Sequence, residues 1–390
     1  MPLRPHQVDA TKAMFQHSRG QIIIPTGGGK TMCMINDAEQ RLRSTIASTI
    51  VVVAPRILLA EQLSSEFLEQ IDNVSVMHVH SGETPHYSST NIWDIYSWHK
   101  YTKGNKIIFT TYHSLDKVKR STIDVDTIYF DEAHNSVQRN FFPAVEHFAT
   151  DWANRCFFFT ATPKHSTTPF KAGMNWTRVY GQVIANVPAP KLVDQGYILP
   201  PKVEVYKSRL LRKDEIFADV ESEQMLSAID RLDVDKVLIC AKSTKQIINL
   251  TSQSDFCYEL NVRGYSWMYI TAKTGAIIDG KKVGRDQFFE TLNAWGKDDD
   301  KKFVVLHHSI LAEGINVKGL EAALFMRNMD YITISQTIGR VIRLGNVDKT
   351  HGKVCVPVYN NVGISTARKV EAVVDTVFNQ GQPAISVITR

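Results

Sequence analysis

Gln21-Ile-Ile-Ile-Pro-Thr-Gly-Gly-Gly-Lys-Thr31 decides how this chain is read. Its apolar start has strand character, three glycines follow, and Lys30 and Thr31 open a stretch patterned as helix. Glycines let the backbone fold tightly enough to aim successive N–H groups at phosphate oxygens, and the helix adds its positive N-terminal end. Thr26, Gly27, Gly28 and Gly29 form the turn, Lys30 offers a mobile cation to the β- and γ-phosphates, and Thr31 offers a hydroxyl to Mg2+. One position departs from the G-x-x-x-x-G-K-[ST] pattern: Ile24 stands where the first glycine is expected.

Outward from this loop, β-branched or apolar runs alternate with helical periodicity. Strand character covers 49–54, 74–80, 106–111, 127–130 and 156–159, and helical pattern covers 7–17, 32–43 and 57–68. Residues 81–105 are polar, rich in Tyr, Trp, His and Lys, and read as a loop region with one short helix. Such alternation, with polar residues gathered where strands end, predicts an α/β fold whose site lies at the carboxyl edge of a parallel sheet. Prolines and a glycine between Val187 and Pro201 mark a break. Alternation then resumes, with strands expected over 236–241, 266–271, 303–307, 323–326 and 354–359 and helices over 221–232, 245–252 and 287–295. The expected organisation is a first domain over 1–190, a linker over 191–206 and a second domain over 207–390. Asp298-Asp-Asp-Lys-Lys302 reads as a solvated turn.

Composition sets bounds on this reading. The chain has 390 residues, 43% of them hydrophobic and 22% charged, as in a globular protein with two full cores. No apolar run approaches the ~18 residues of a membrane span, and the start Met1-Pro-Leu-Arg-Pro-His has no secretory pattern. Five scattered cysteines favour buried thiols in a reducing cytoplasm over disulfides or zinc. A formal charge of +5 allows a polyanionic partner without requiring one.

A second element meets the loop's chemistry. The apolar strand Ile128-Tyr-Phe130 runs into Asp131-Glu-Ala-His134, placing Asp131 for the magnesium ion and Glu132 for the attacking water's proton. At these residues the chain resembles superfamily 2 helicases. Pro25 to Thr31, Asp131 to His134 and Thr160-Ala-Thr162 match motifs I, II and III, and in that superfamily the place of Ile24 is commonly not glycine. Ala54-Pro-Arg56 resembles motif Ia, Thr110 to Leu115 the next nucleic-acid motif, and Val237 to Thr244 motif IV. Leu311-Ala-Glu-Gly-Ile-Asn316 resembles motif V and Gln336 to Arg343 motif VI. Within the superfamily, Asp-Glu-Ala-His with Thr-Ala-Thr-Pro is most similar to helicase cores of type III restriction enzymes and UvsW-type phage helicases.

The resemblance implies two tandem RecA-like domains with an ATP site in the cleft between them. It implies that Gln7, with Arg4 beside it, holds adenine, although a polar helix start explains the same residues. Gly314 joins the ATP set, and Gln336, Arg340 and Arg343 join the catalytic one, the arginines stabilising charge on the γ-phosphate. Thr160 and Thr162, with His134, would couple the phosphate site to the strand-binding surface, or else cap a helix. Arg56, Thr111, Ser114, Ser243, Thr271 and Asn316 look like donors to a nucleic-acid backbone, which would bring little sequence specificity. Trp93, Trp98 and Tyr101 near Lys100 and Lys103 either stack on bases or cover a core edge. The expected activity is Mg-ATP-dependent translocation on or remodelling of DNA by a monomeric core, any nuclease or targeting module lying on another chain. RNA-stimulated hydrolysis and a nucleotide-gated clamp are the alternatives.

Overall fold

The computed structural model describes residues 2–45, 47–207, 216–271, 273–308, 317, 319–326, 329–345, 349–358 and 364–389. The chain divides into two compact units, residues 1–188 with 383–390, and residues 189–382.

The first unit begins α1 (Pro5–Gln16), β1 (Arg19–Ile23), α2 (Lys30–Ser44), β2 (Thr49–Ala54), α3 (Ile57–Leu68), β3 (Ser75–Val79), β4 (Tyr87–Ser88), α4 (Ile92–Tyr101). It continues β5 (Lys106–Thr111), α5 (Leu115–Arg120), β6 (Thr127–Phe130), α6 (Phe142–His147), β7 (Arg155–Thr160), β8 (Lys164–Ser166), α7 (Thr177–Tyr180), β9 (Val183–Asn186). Eight of these strands make one sheet in the order β4-β3-β5-β2-β6-β7-β1-β9, and every pairing in it is parallel. Helices cover both faces of such a sheet, so its inner strands read as unbroken apolar runs; all six residues of β2 are buried. Phe130 and Phe158 stack at 4.9 Å between ring centres, and Tyr180 packs on Phe158 at 4.7 Å, in the core below the site. β7 lies between β1 and β6, pairing Ile23 with Thr160 and Phe130 with Phe158. The loop after β1, the acids after β6 and the threonines after β7 therefore emerge side by side at one edge.

The second unit begins α8 (Ala189–Asp194), β10 (Pro201–Lys207), α9 (Phe217–Leu232), β11 (Lys236–Cys240), α10 (Thr244–Ser252), α11 (Phe256–Val262), β12 (Ser266–Thr271). After these come β13 (Gly275–Ile278), β14 (Lys281–Val283), α12 (Arg285–Lys297), β15 (Phe303–His307), β16 (Ala322–Phe325), α13 (Tyr331–Val341), β17 (Gly352–Val358), α14 (Ile364–Val374). Its sheet runs β10-β17-β16-β11-β15-β12-β13-β14. The sheet is mixed where a parallel one was expected, because β13 and β14 add an antiparallel hairpin to β12. Asp279 (φ 45°) and Gly280 (φ 79°) make the two-residue turn, whose left-handed backbone suits an Asp-Gly pair.

Two further expectations change. Residues 191–206 are not a plain linker, since they carry most of α8 and β10. Pro190 sits in the first turn of α8, where no N–H is needed, and Pro201 opens an edge strand, where a missing donor costs little. The last residues also leave the second unit: β18 (Ser386–Ile388) pairs in parallel with β8 of the first. Among the described residues, no helix is long and apolar enough to cross a membrane.

Candidate functional site

The loop after β1 turns on two glycines with left-handed backbone, Gly27 (φ 86°) and Gly29 (φ 82°). Ile24 takes no part in the turn. Its side chain is fully buried and its N–H donates to Thr160 O at 3.2 Å, so it extends β1 against β7. Lys30, first residue of α2, places Nζ 3.5 Å from Glu132 Oε1. Thr31 stands beside it, partly exposed in the first turn.

α1 lies under this loop. Gln7 Nε2 donates to Gly29 O at 3.1 Å and Gly28 O at 3.5 Å, while its Oε1 accepts from Arg4 N–H at 2.8 Å. Arg4 Nη1 reaches Gly27 O at 3.4 Å, and His6 Nε2 lies 2.8 Å from Gly28 O. The Gln7 amide, expected on adenine, is 3% exposed and braces the carbonyl side of the phosphate loop. His6 belongs to the same brace and was not singled out in the sequence; its place beside Gln7 was the only signal.

The acid pair sits on a strained corner. Glu132 has φ 43°, unusual for a residue with a side chain, and this turns the chain sharply after β6. Asp131 is held by its N–H to Val53 O at 2.9 Å and by Tyr112 Oη donating to its carbonyl at 2.9 Å. Burial, and then the neighbouring Glu132 charge, push the Asp131 carboxyl above the usual carboxylate range, with Lys30 opposing. Glu132 Oε2 is 3.5 Å from His134 Nδ1, and that nitrogen lies 3.1 Å from Thr160 Oγ1 and 3.3 Å from Thr162 Oγ1. Thr162 N–H donates to Thr160 Oγ1 at 3.0 Å. A path of short contacts thus runs from Lys30 through Glu132 and His134 to both threonines.

A buried network sets the strands that carry this path. Asp37 of α2 accepts from Arg155 at 2.7 and 2.9 Å and from Tyr129 Oη at 2.6 Å, locking the loop's helix to β6 and β7. Nothing in the sequence announced it, because its members are far apart in the chain.

The expected backbone donors are placed unevenly. Arg56 precedes α3, Thr111 is buried at the end of β5, and Ser114 precedes α5; all three lie at the carboxyl edge of the first sheet. In the second unit Ser243 caps α10, accepting from Gln246 N–H at 3.2 Å. The Thr271 hydroxyl lies 2.6 Å from Thr274 Oγ1 and accepts the Thr274 N–H at 3.0 Å. These two hydroxyls are engaged in turn chemistry. Gln336 and Arg340 are buried on α13, with Arg343 just beyond it. Below that helix, His307 Nε2 lies 3.0 Å from Cys240 Sγ, and burial, helped by Arg340, holds the imidazole neutral with its pKa near 3. Gly314 and Asn316, with the rest of 311–316, lie outside the described residues.

Residues 1–165 match the family model described as the type III restriction enzyme res subunit. Beyond that stretch, the whole chain shares its fold with several solved structures. Among solved structures, the ATP-dependent Type ISP restriction-modification enzyme LlaBIII bound to DNA superposes with a TM-score of 0.77 at 17% identity, over 100% of this chain and 31% of that one. A nuclease-deletion mutant of the Type ISP enzyme LlaGI, in complex with a DNA substrate mimic, gives 0.68 at 19% identity, over 99% and 30%. Mss116p bound to ssRNA and AMP-PNP gives 0.64 at 15% identity, over 100% and 75%. The chain therefore spans about a third of the length of the two restriction enzymes. No curated protein matches it.

Proposed function

We propose that this chain is an ATP-hydrolysing motor core that moves on, or remodels, DNA. The observation that carries the reading is the contact path Lys30–Glu132–His134–Thr160/Thr162, which ties the phosphate loop to the ends of β6 and β7; β2 and β5 end at the same carboxyl edge of that sheet, beside Arg56, Thr111 and Ser114. Thr26 to Thr31 would cradle the nucleotide's phosphates, and Glu132 would accept the water's proton. Arg340 and Arg343 would stabilise charge on the γ-phosphate.

The donor set fits Mg2+. Thr31 hydroxyl and Asp131 carboxylate are hard oxygens of the kind a divalent ion prefers, and the charge of such an ion would favour the ionised form of Asp131 that burial opposes. Among the described residues no group of three or more His, Cys, Asp or Glu is placed to hold a metal alone. Magnesium bound by few protein ligands and completed by substrate phosphates is the fitting mode. When bound, it would neutralise phosphate charge.

DNA as substrate is favoured by Thr-Ala-Thr-Pro following Asp-Glu-Ala-His and by the match to a restriction-enzyme subunit. The test is phosphate release with no nucleic acid, single-stranded DNA, duplex DNA or RNA of matched sequence. DNA should stimulate hydrolysis most. Equal or stronger stimulation by RNA overturns the DNA assignment, and tight binding without turnover makes the chain a nucleotide-gated clamp.

A further inference from the structure

α4 buries one side and leaves the other uncovered. Ile95 is fully buried and Trp98 packs against the first unit's core. On the opposite side Trp93 and Tyr101 are each 75% exposed. Trp93 and Tyr96 meet edge-on with ring centres 6.5 Å apart, and Lys100 Nζ stands 5.4 Å from the centre of Tyr96 and 5.8 Å from that of Tyr101. Positions 93, 96, 100 and 101 fall on one helical face, so the rings and the ammonium form a continuous stripe about 12 Å long. Isolated exposed aromatics are ordinary on a protein surface, whereas an aligned row with a cation among them marks a contact surface.

The occupant follows from charge, length and place. α4 packs against α5, which carries Lys117, Lys119 and Arg120 and is preceded by Ser114. Of the acids around it, Asp94 accepts from Ser89 Oγ at 2.8 Å, Asp116 pairs with Arg120 at 3.9 Å, and Asp124 lies beside His99 of α4. β4 runs parallel to β3 and α4 follows it directly, so Trp93 lies toward the carboxyl edge where β2 and β5 end at Arg56 and Thr111. The stripe begins on the carboxyl-edge side of the outermost strand and has the reach of a few nucleotides. We propose that the outward face of α4 is a stacking platform for unpaired bases of a single strand of nucleic acid. Every base offers a π-face, so such a platform grips without reading sequence, and Lys100 adds attraction for the backbone. This deepens the nucleic-acid reading above and rests on it.

The experiment measures anisotropy of a labelled oligo-dT strand with the full chain and with Trp93→Ala/Tyr101→Ala. Both side chains are exposed, so the double variant should keep the wild-type melting temperature. Its affinity should fall about tenfold or more, the range for lost base stacking. Phe15→Ala, an exposed aromatic on α1, should bind as wild type does. Abasic sites in the oligonucleotide should remove the difference between the double variant and wild type, because the rings then have nothing to stack on. Unchanged affinity in the double variant, with Arg56→Ala weakened, overturns the platform alone and leaves the face for a protein partner. A wild-type chain that binds no oligonucleotide overturns the nucleic-acid reading and this inference with it.

Discussion

Asp131 and Glu132 are adjacent carboxylates with different tasks, and their surroundings separate them. Asp131 is buried beside a like charge, so the folded protein holds its proton more firmly than the unfolded chain does. A raised acid of this kind contributes stability that is greatest below the ordinary carboxylate range and is lost as pH climbs toward neutral. Asp131→Asn should therefore melt a few degrees above wild type at neutral pH, with the gap closing as pH falls, while hydrolysis is abolished. Scanning calorimetry across pH reads this, and a variant that melts lower at neutral pH would contradict the burial argument. Glu132→Gln keeps the corner's shape and should retain nucleotide binding while hydrolysis slows by at least ~10²-fold, the range for a lost general base. Turnover near wild type would remove Glu132 from that role.

Between α1 and the phosphate loop, the element as a whole sets the geometry. A Cβ on Gly29 would lie 2.4 Å from Gln7 Nε2, and the φ of +82° there is one that side chains rarely adopt. Gly29→Ala therefore costs roughly 1–2 kcal/mol of backbone strain and drives Gln7 off the carbonyls it braces. Nucleotide affinity should drop and Gln7→Ala should add little on top, because both act on one loop conformation. Fluorescent-nucleotide titration of the two single variants and the double variant checks this, and fully additive losses would show the brace to be independent of the loop. The same scale explains the Asp37 network. With Arg155 removed, Asp37 stays buried beside Tyr129 without its cation, which is why α2 is held so tightly to β6 and β7.

Over the whole molecule, grip should come from charge and backbone donors spread over several elements. Binding should weaken steeply with salt and depend little on sequence. Arg56→Ala should lower the DNA-stimulated rate and reduce the slope of log affinity against log salt by about one, the signature of a single lost phosphate contact. A slope equal to wild type would place Arg56 away from the phosphate backbone.

The sequence by itself determined the phosphate loop, the acid pair, the α/β alternation and several elements to the residue, such as Thr49–Ala54 and Ile57–Leu68. These are local: glycine freedom, β-branched runs and 3.6-residue periodicity act between neighbours in the chain. The Asp279-Gly280 turn is local in the same way, since an Asp-Gly pair favours the left-handed backbone of a two-residue hairpin. Only the tertiary structure decided the rest. Arg155 lies 118 residues from Asp37, Thr160 lies 26 from His134, and β18 returns from the far end of the chain to β8. Gln7 could have faced solvent, a base or the loop, and α4 could have buried either side. Which of these occurs depends on what packs against each face, and that is settled only when distant segments compete for the same buried surface.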